Sequence, residues 1–359
     1  MHVVSFLAVL WVAVQAGFSQ TAGNTAASQA GAPGLPKDPR EVIEAARPFY
    51  DFSDAALKPW HLKTSYQLYD DKGNPGEQGT FEYWWASPDV HRTLWTRGSS
   101  MHSDWRAGGN KYASRSEGEP LRYFEYKMFD ALLSPLPEEK DMDPVKSRIE
   151  RKQVSLGNLK VPCIMVGPII GHFGQGVEEP IGLFPTFCFD SNTPALLVTY
   201  SLGGVTTVYN KIVKVQGKYL AREVTFFQGK QKILSATVDS ITGLNPMEAA
   251  LALPPDTPVS NVKKVNIAGG LAQGMLLKKE VPFYPQDAKA ARVSGTVILQ
   301  AVIGTDGSIH DLRVVSAPWP SLAAASLWAV SHWQYKPYLL NGSPVEVETT
   351  INVVFSLSD

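Results

Sequence analysis

The chain has 359 residues, of which 44% are hydrophobic and 19% charged, and its 33 Lys+Arg against 34 Asp+Glu give a formal net charge of −1. That length allows two domains with sizeable cores, and a near-neutral charge without a Lys/Arg cluster argues against a nucleic-acid partner, which needs a basic footprint. Two cysteines exclude zinc fingers and multi-cysteine metal clusters.

Residues 3–16 (VVSFLAVLWVAVQA) are almost wholly apolar and carry no charge. As a helix they reach roughly 21 Å, short of the ~30 Å hydrocarbon core of a bilayer. The stretch suits a secretory signal peptide over residues 1–19, with Val14-Gln15-Ala16 as a small-residue cleavage site. A short retained anchor is the alternative. Residues 20–38 are rich in Ala, Gly, Ser and Pro without a hydrophobic period, which predicts a disordered tether. Export makes Cys163 and Cys188 a candidate disulfide closing a loop of about 25 residues, with two buried free thiols as the alternative.

Asp38-Pro39-Arg40-Glu41 places Asp at an N-cap, Pro at N1 and Glu at N3, so a helix is expected over residues 39–48. Leu62, Thr64, Tyr66 and Leu68 alternate with His61, Lys63, Ser65 and Gln67, a period of two that predicts a strand. Residues 80–85 and 90–96 behave alike. Leu121, Phe124, Met128 and Leu132 then recur at helical spacing before Pro135 and Pro137. Strands are expected again at 195–200, 205–215, 219–227 and 232–238. Their turns fall at Gly203-Gly204, Gly217-Lys218 and Gly229-Lys230, as in an antiparallel meander. Asn245-Pro246-Met247-Glu248 repeats the capping signature and predicts a short helix. Pro254-Pro255-Asp256-Thr257-Pro258 breaks the chain, so residues 39–258 are assigned to one sheet-dominated domain.

Residues 296–303 and 309–315 are β-rich and joined through the hairpin signal Asp306-Gly307. From Leu322 the period turns helical, with Leu322, Ala325, Ser326, Ala329, Val330 and Trp333 on one face and Pro337 as a stop. In the closing strand Val345, Val347, Thr349, Ile351, Val353, Phe355 and Leu357 share one side. Glu346, Glu348, Thr350, Asn352 and Ser356 take the other, which predicts a sheet covered by helices on one face. A short helix should start at Pro285, with Ala288 and Ala291 packing.

Tyr284-Pro285, Ala288, Ala291, Val293, Gly295-Thr296-Val297, Asp306-Gly307, Val314-Val315-Ser316 and Trp333-x-Tyr335-Lys336-Pro337 precede that strand in a familiar order. With it they make residues 270–359 resemble the TonB C-terminal domain. The resemblance implies a three-stranded antiparallel sheet backed by two helices, in the periplasm. It also implies a role in which the last strand pairs with the TonB box of a TonB-dependent outer-membrane receptor by β-augmentation. By carry-over the partner-binding residues are Thr349, Thr350, Ile351, Asn352 and Val353, within a pairing strand 349–355, together with Phe283, Tyr284 and Pro285. The preceding segment reads Val281-Pro282-Phe283, without the glutamine of the best-known members. For Trp333, Tyr335 and Pro337, core packing and helix termination are the simpler role. Some members dimerise, so a homodimer stays open. A typical energy transducer also has a transmembrane helix and a long Pro-rich spacer. The tether here is short, and a chain with its signal cleaved cannot pull alone.

Residues 39–258 resemble the LolA/LolB family of lipoprotein carriers in architecture, an unclosed half-barrel whose concave face holds acyl chains. Tyr66, Phe81, Trp84, Trp85, Trp95, Tyr219, Phe226 and Phe227 suit such a face, or simply fill the core between sheet and helices. The fold class is therefore α+β: a large antiparallel-sheet, LolA-like half-barrel domain plus a small TonB-like domain.

No chemistry emerges beside these resemblances. Histidines 2, 61, 91, 102, 172, 310 and 332 are scattered without an HExxH, and neither a G-x-S-x-G elbow nor a P-loop is present. The glycine-rich residues 167–176 lack a phosphate-binding lysine and read as a flexible loop, able to act as a lid. Glu138-Glu139, Asp141 with Asp143, and Glu178-Glu179 read as solvated loops. No catalytic residue, metal or cofactor is assigned. The expected function is non-enzymatic: binding of a receptor's TonB box in TonB-linked energy transduction and transmembrane transport. The alternative is a periplasmic lipid or lipoprotein carrier, with the TonB-like domain as its docking module. The expected location is the periplasm, or the inner membrane if the signal is retained.

Overall fold

The computed structural model describes residues 34–357 except 71, 117, 146, 169–180, 183, 202–203 and 261–263. The expected signal or anchor, most of the tether and most of the glycine-rich loop lie outside the described residues. Among those described, no helix is long and apolar enough to cross a membrane.

Helix α1 (Pro39–Ala46) starts where its cap is written, since Asp38 Oδ1 accepts from the backbone N–H of Arg40 and Glu41 at 2.8 and 3.2 Å. Next come strands β1 (Trp60–Tyr69), β2 (Pro75–Ser87), β3 (Val90–Arg97), β4 (Ser100–Ala107) and β5 (Asn110–Arg115). After helix α2 (Tyr123–Leu133) the chain returns as β6 (Ser147–Leu156), β7 (Leu159–Pro168), β8 (Thr186–Phe189), β9 (Leu196–Ser201), β10 (Val205–Val215), β11 (Lys218–Gln228) and β12 (Gln231–Gly243). All twelve form one antiparallel sheet in the order β5-β4-β3-β2-β1-β12-β11-β10-β9-β8-β7-β6. Two meanders thus meet at β1 and β12, and α2 carries the chain from one edge to the other. Edge strands β5 and β6 do not pair with each other, so the sheet is a half-barrel rather than a closed one.

Its concave face is filled from within. Val42 and Ile43 of α1 and Phe124, Met128 and Leu132 of α2 pack on Trp60, Leu62, Phe81, Trp85 and Leu234 of the strands. Burying a side chain of this size contributes roughly 1.5–3 kcal/mol, which is what holds α1 and α2 to the sheet. The adjacent Trp84 and Trp85 illustrate strand alternation: Trp85 enters this core, while Trp84 turns to the outer face. There it stacks on His61 at 4.7 Å, and the Arg92 guanidinium lies between Trp84 and Trp105 at 5.1 and 4.8 Å. Trp84 and Phe227, expected with the concave aromatics, therefore belong elsewhere, Phe227 packing near the cysteines. Cys163 and Cys188 face each other across β7 and β8 and form the disulfide. Closing their 25-residue separation contributes roughly 3 kcal/mol in the chain-entropy model.

The helix expected at Asn245 is instead an Asx turn, with Asn245 Oδ1 accepting from Met247 N at 3.0 Å, followed by a single 3-10 turn at Ala249–Leu251. Arg92 donates to the Ala250 carbonyl at 2.9 Å and Ser260 N to the Lys111 carbonyl at 2.7 Å. The connecting segment is so strapped across the outer face of β3 to β5.

The second domain comprises β13 (Lys264–Asn266), α3 (Gly269–Gly274), β14 (Leu276–Lys278), α4 (Gln286–Ala290), β15 (Gly295–Ile303) and β16 (Ile309–Ser316). It continues with α5 (Pro320–Ser331), β17 (Gln334–Tyr335), β18 (Tyr338–Leu340) and β19 (Ser343–Phe355). Strands β16, β15 and β19 make the expected antiparallel trio. Two short strands enlarge it: β18 hairpins onto β19, and β13 pairs with β19 in parallel. Between β15 and β16, Gly307 has φ +80°, and a Cβ there would lie 1.9 Å from the Tyr335 carbonyl oxygen, so only glycine fits. Ala288 is buried as expected, whereas Ala291 is exposed at the end of α4. Helix α5 buries Ala323 and Leu327 as well as its expected face, because it is packed on two sides. Its Trp328 ring lies 5.8 Å from Phe124 of α2, and Met165 and Phe184 of the large domain join the second core.

Candidate functional site

Strand β19 has two lateral edges, and they differ. One is fully paired with β15 from Val347 to Phe355. On the other, β13 covers Glu346 to Glu348 and then leaves, its last contact being Ile267 N donating to the Glu348 carbonyl at 3.1 Å. Since backbone groups alternate sides along a strand, Thr350, Asn352 and Val354 turn their N–H and C=O to the same edge as Glu348. No described strand pairs with them there, but α3 comes up against the first of them, where a Cβ at Gly269 would lie 2.3 Å from the Thr350 carbonyl oxygen, so the open stretch is Asn352 and Val354. Thr349 Oγ1 donates to the Ile267 carbonyl at 3.0 Å, which ends the β13 connection just before the open stretch. Val354 is 69% exposed at this edge, although strands exposing apolar groups at an unpaired edge are normally blunted by charge or a covering loop.

The sequence-derived residues divide accordingly. Asn352 lies on the open edge and Thr350 at its α3 end, both with exposed side chains. Thr349, Ile351 and Val353 are buried, their side chains in the domain core and their backbone turned to β15. Thr349 and Val353 thereby hold the strand in the sheet, while Ile351 also borders the cavity beside α3. Val354 falls within the expected pairing strand 349–355 but not among its five named residues, because strand alternation in the sequence marks which face is wet but not which lateral edge is empty. Phe283 and Val281 are 63% and 75% exposed, and Tyr284 packs edge-on against Phe355 at 5.3 Å. Tyr284 therefore lies against the end of β19. Pro285 is buried at the N-cap of α4 and presents nothing outward.

Between this edge and α3 lies a cavity of about 240 Å³ that reaches Ile351, Trp333 and Tyr335. The Trp333 indole donates to the Glu280 carbonyl at 2.8 Å, which ties the 279–284 segment to the cavity wall.

A charge cluster joins the same domain to α2. His310 Nε2 lies 3.5 Å from Asp306 Oδ1 and its Nδ1 3.9 Å from Glu346 Oε1, with the Tyr126 ring 4.0 Å away. Tyr126 Oη donates to Asp306 Oδ2 at 3.0 Å, and Lys127 pairs with Asp311 at 3.6 Å. Burial alone would lower the His310 imidazole, but the carboxylates of Asp306 and Glu346 outweigh it and raise its pKa to about 9. Burial likewise would raise Asp306, yet the nearby His310 imidazole and the bonds from Ser308 hold its carboxyl well below the ordinary range.

A raised histidine contributes fully below its unfolded value of 6.5 and loses the contribution as pH climbs toward 9. A depressed Asp306 contributes above its ordinary 3.8 and loses the contribution as pH falls below it. The clasp is therefore strongest between pH 3.8 and 6.5. Because the ion pairs are long, the loss from pH 6 to pH 9 should be about 1–2 kcal/mol, less than the full shift implies. Thermal unfolding at both pH values, with and without His310→Gln, measures it: the variant should lose this pH slope, and an unchanged slope would contradict the assignment.

The large domain offers a different opening. A cavity of about 320 Å³ lies between residues 47–53 and the end of α2, lined by Tyr50, Phe52, Tyr83, Phe129, Leu133 and Leu136. Among the described residues no group of His, Cys, Asp and Glu could hold a metal ion.

Residues 280–357 match the family described as Gram-negative bacterial TonB protein C-terminal. The solution structure of the Pseudomonas aeruginosa TonB C-terminal domain is 26% identical, covering 23% of this chain and 86% of that one, with a TM-score of 0.21. A LolA superfamily protein from Nitrosomonas europaea is 7% identical, covering 58% of this chain and 94% of that one, with a TM-score of 0.36. A putative outer membrane lipoprotein-sorting protein domain from Vibrio parahaemolyticus is 10% identical over the same shares, with a TM-score of 0.38. No curated protein matches the chain.

Proposed function

We propose that this chain is an exported, non-enzymatic binding protein of the Gram-negative envelope. Its C-terminal domain takes the TonB box of an outer-membrane receptor as an added strand on the open edge of β19, in the service of TonB-linked transport. One observation carries the reading: in a domain that matches the TonB C-terminal family, Asn352 and Val354 present unpaired backbone groups along one edge, just beyond the point where α3 meets Thr350. Strand addition takes its affinity from such main-chain groups and its selectivity from the neighbouring side chains. The Cys163–Cys188 disulfide suits an oxidising compartment, and the periplasm is the compartment proposed.

A photo-crosslinking residue at Thr350 of the full chain, in intact cells, tests this, with mass spectrometry of the adducts. The expected adduct is a receptor plug peptide. Adducts to lipoproteins alone, or to a second copy alone, would overturn the reading.

The cavity of about 320 Å³ beside α2, whose aromatic and Leu wall is interrupted by Arg47, Asp51, Ser53 and Ser134, favours a second reading, a lipid or lipoprotein carrier. It ranks lower because that volume sits at the bottom of the ~300–1,000 Å³ range of ligand sites and the rest of the concave face is filled. Lipid retained by the purified chain, and lost on Phe129→Trp, would promote it.

A further inference from the structure

We infer that the open edge of β19 carries a selective pocket for one bulky apolar side chain of the docked peptide, built by α3, Leu276, Trp333 and Tyr335. The inference rests on the strand-addition reading and names what that strand must contain.

An added strand sends alternate side chains to opposite faces of the sheet. On the wet face it would meet only the exposed Thr350, Asn352 and Val354. On the covered face, the side chain beside Ile351 enters the cavity of about 240 Å³ walled by Ala272, Leu276, Trp333 and Tyr335. That volume is below the ~300 Å³ at which small-molecule sites begin, and it suits a single large side chain. Lys279 stands at the cavity with its ammonium 5.5 Å from the Trp333 ring, so an entering Lys or Arg meets like charge. The space thus selects for bulk and against positive charge.

The walls are preformed. Lys336 N donates to the Met275 carbonyl at 2.8 Å, and β14 pairs with β17, which anchors the end of α3 against the strand that carries Tyr335. At the other end α3 closes the edge at Thr350, where a Cβ at Gly269 would lie 2.3 Å from the carbonyl oxygen, so an added strand pairs from Asn352 onward with the pocket beside it. Register is set as well. Because β13 already occupies Glu346 to Glu348, an incoming strand cannot slide further along β19. One and the same ligand position therefore faces the pocket, and a one-residue slip would turn its side chain to the wet face.

The test uses the full chain and a synthetic seven-residue TonB-box peptide, with each position changed in turn to Leu, Phe, Ala and Lys and binding read by fluorescence anisotropy. One position should prefer Leu or Phe over Ala and Lys by tenfold or more. Ala272→Phe, which fills the cavity, should reduce that preference to within twofold while the peptide still binds. Leu276→Ala, which enlarges the cavity, should shift the preference toward Trp, and it keeps the test decisive if the first variant does not fold. Binding with no positional preference, or a preference that both variants leave unchanged, would overturn the pocket and leave strand addition standing. No binding of any peptide to the wild-type chain would overturn strand addition and the pocket together.

Discussion

Glu125→Ala should destabilise the large domain by about 3–5 kcal/mol, the range for removing one partner of a buried ion pair. The Glu125 side chain is fully buried on α2, and both its oxygens are engaged. Oε1 accepts from Tyr66 Oη and from Arg97 Nε, the latter at 3.2 Å, and Oε2 accepts from the Arg122 backbone N–H at 2.7 Å, capping the helix. Removing it leaves a buried guanidinium, a phenol and a helix N–H without that acceptor. Arg97 keeps Glu77 at 3.1 Å, Glu119 at 3.4 Å and the Pro120 carbonyl at 2.8 Å, but both of those carboxylates are solvent-exposed and weaker partners. Glu125→Gln keeps the shape and should cost about half as much. Replacing the pair together, Arg97→Met with Glu125→Leu, should recover most of the loss, because no charge is then left uncompensated. Urea unfolding at constant m measures all three. A loss below about 1 kcal/mol for Glu125→Ala would mean that the exposed glutamates suffice for Arg97.

Asn352→Pro should weaken peptide binding by tenfold or more, equivalent to about 1.4 kcal/mol, while Asn352→Ala should stay within threefold. The Asn352 side chain is exposed on the wet face, so its loss matters little. Its backbone N–H points along the open edge, and proline both removes that donor and sets a ring carbon where the added strand must approach. The pairing with β15 does not use that N–H, so stability should hardly change. Titration of both full-length variants with a TonB-box peptide separates the two effects, and equal affinities would argue that binding lies elsewhere.

Sequence pattern located the elements that bury one face and wet the other. Asp38-Pro39 marked α1, the alternation from Leu62 to Leu68 marked β1, and Asp306-Gly307 marked the hairpin whose glycine position admits no side chain. Strands β5, β6 and β8 escaped it for a physical reason. The sheet ends at β5 (NKYASR) and β6 (SRIERKQVSL), and edge strands kept soluble by charge show no apolar alternation. Four-residue β8 is buried at every position and so has no period at all. At the site, the wet face of β19 was legible from Thr350 and Asn352. Its empty lateral edge was not, because that depends on where the three-residue β13 stops, and so short a strand is set by tertiary pairing rather than by propensity. The cavity beside α3 was hidden for the same reason: Ala272, Leu276 and Trp333 come together only when β14 pairs with β17.

Strand addition is tested most directly by amide hydrogen exchange on the full chain, residue by residue along β19, with and without a TonB-box peptide. Pairing on the open edge predicts new protection at alternate amides, those of Asn352 and Val354, with Ile351 and Val353 protected equally in both states by β15. No added protection at those two amides in the presence of bound peptide, or protection confined to residues 47–53 and the end of α2, would contradict it.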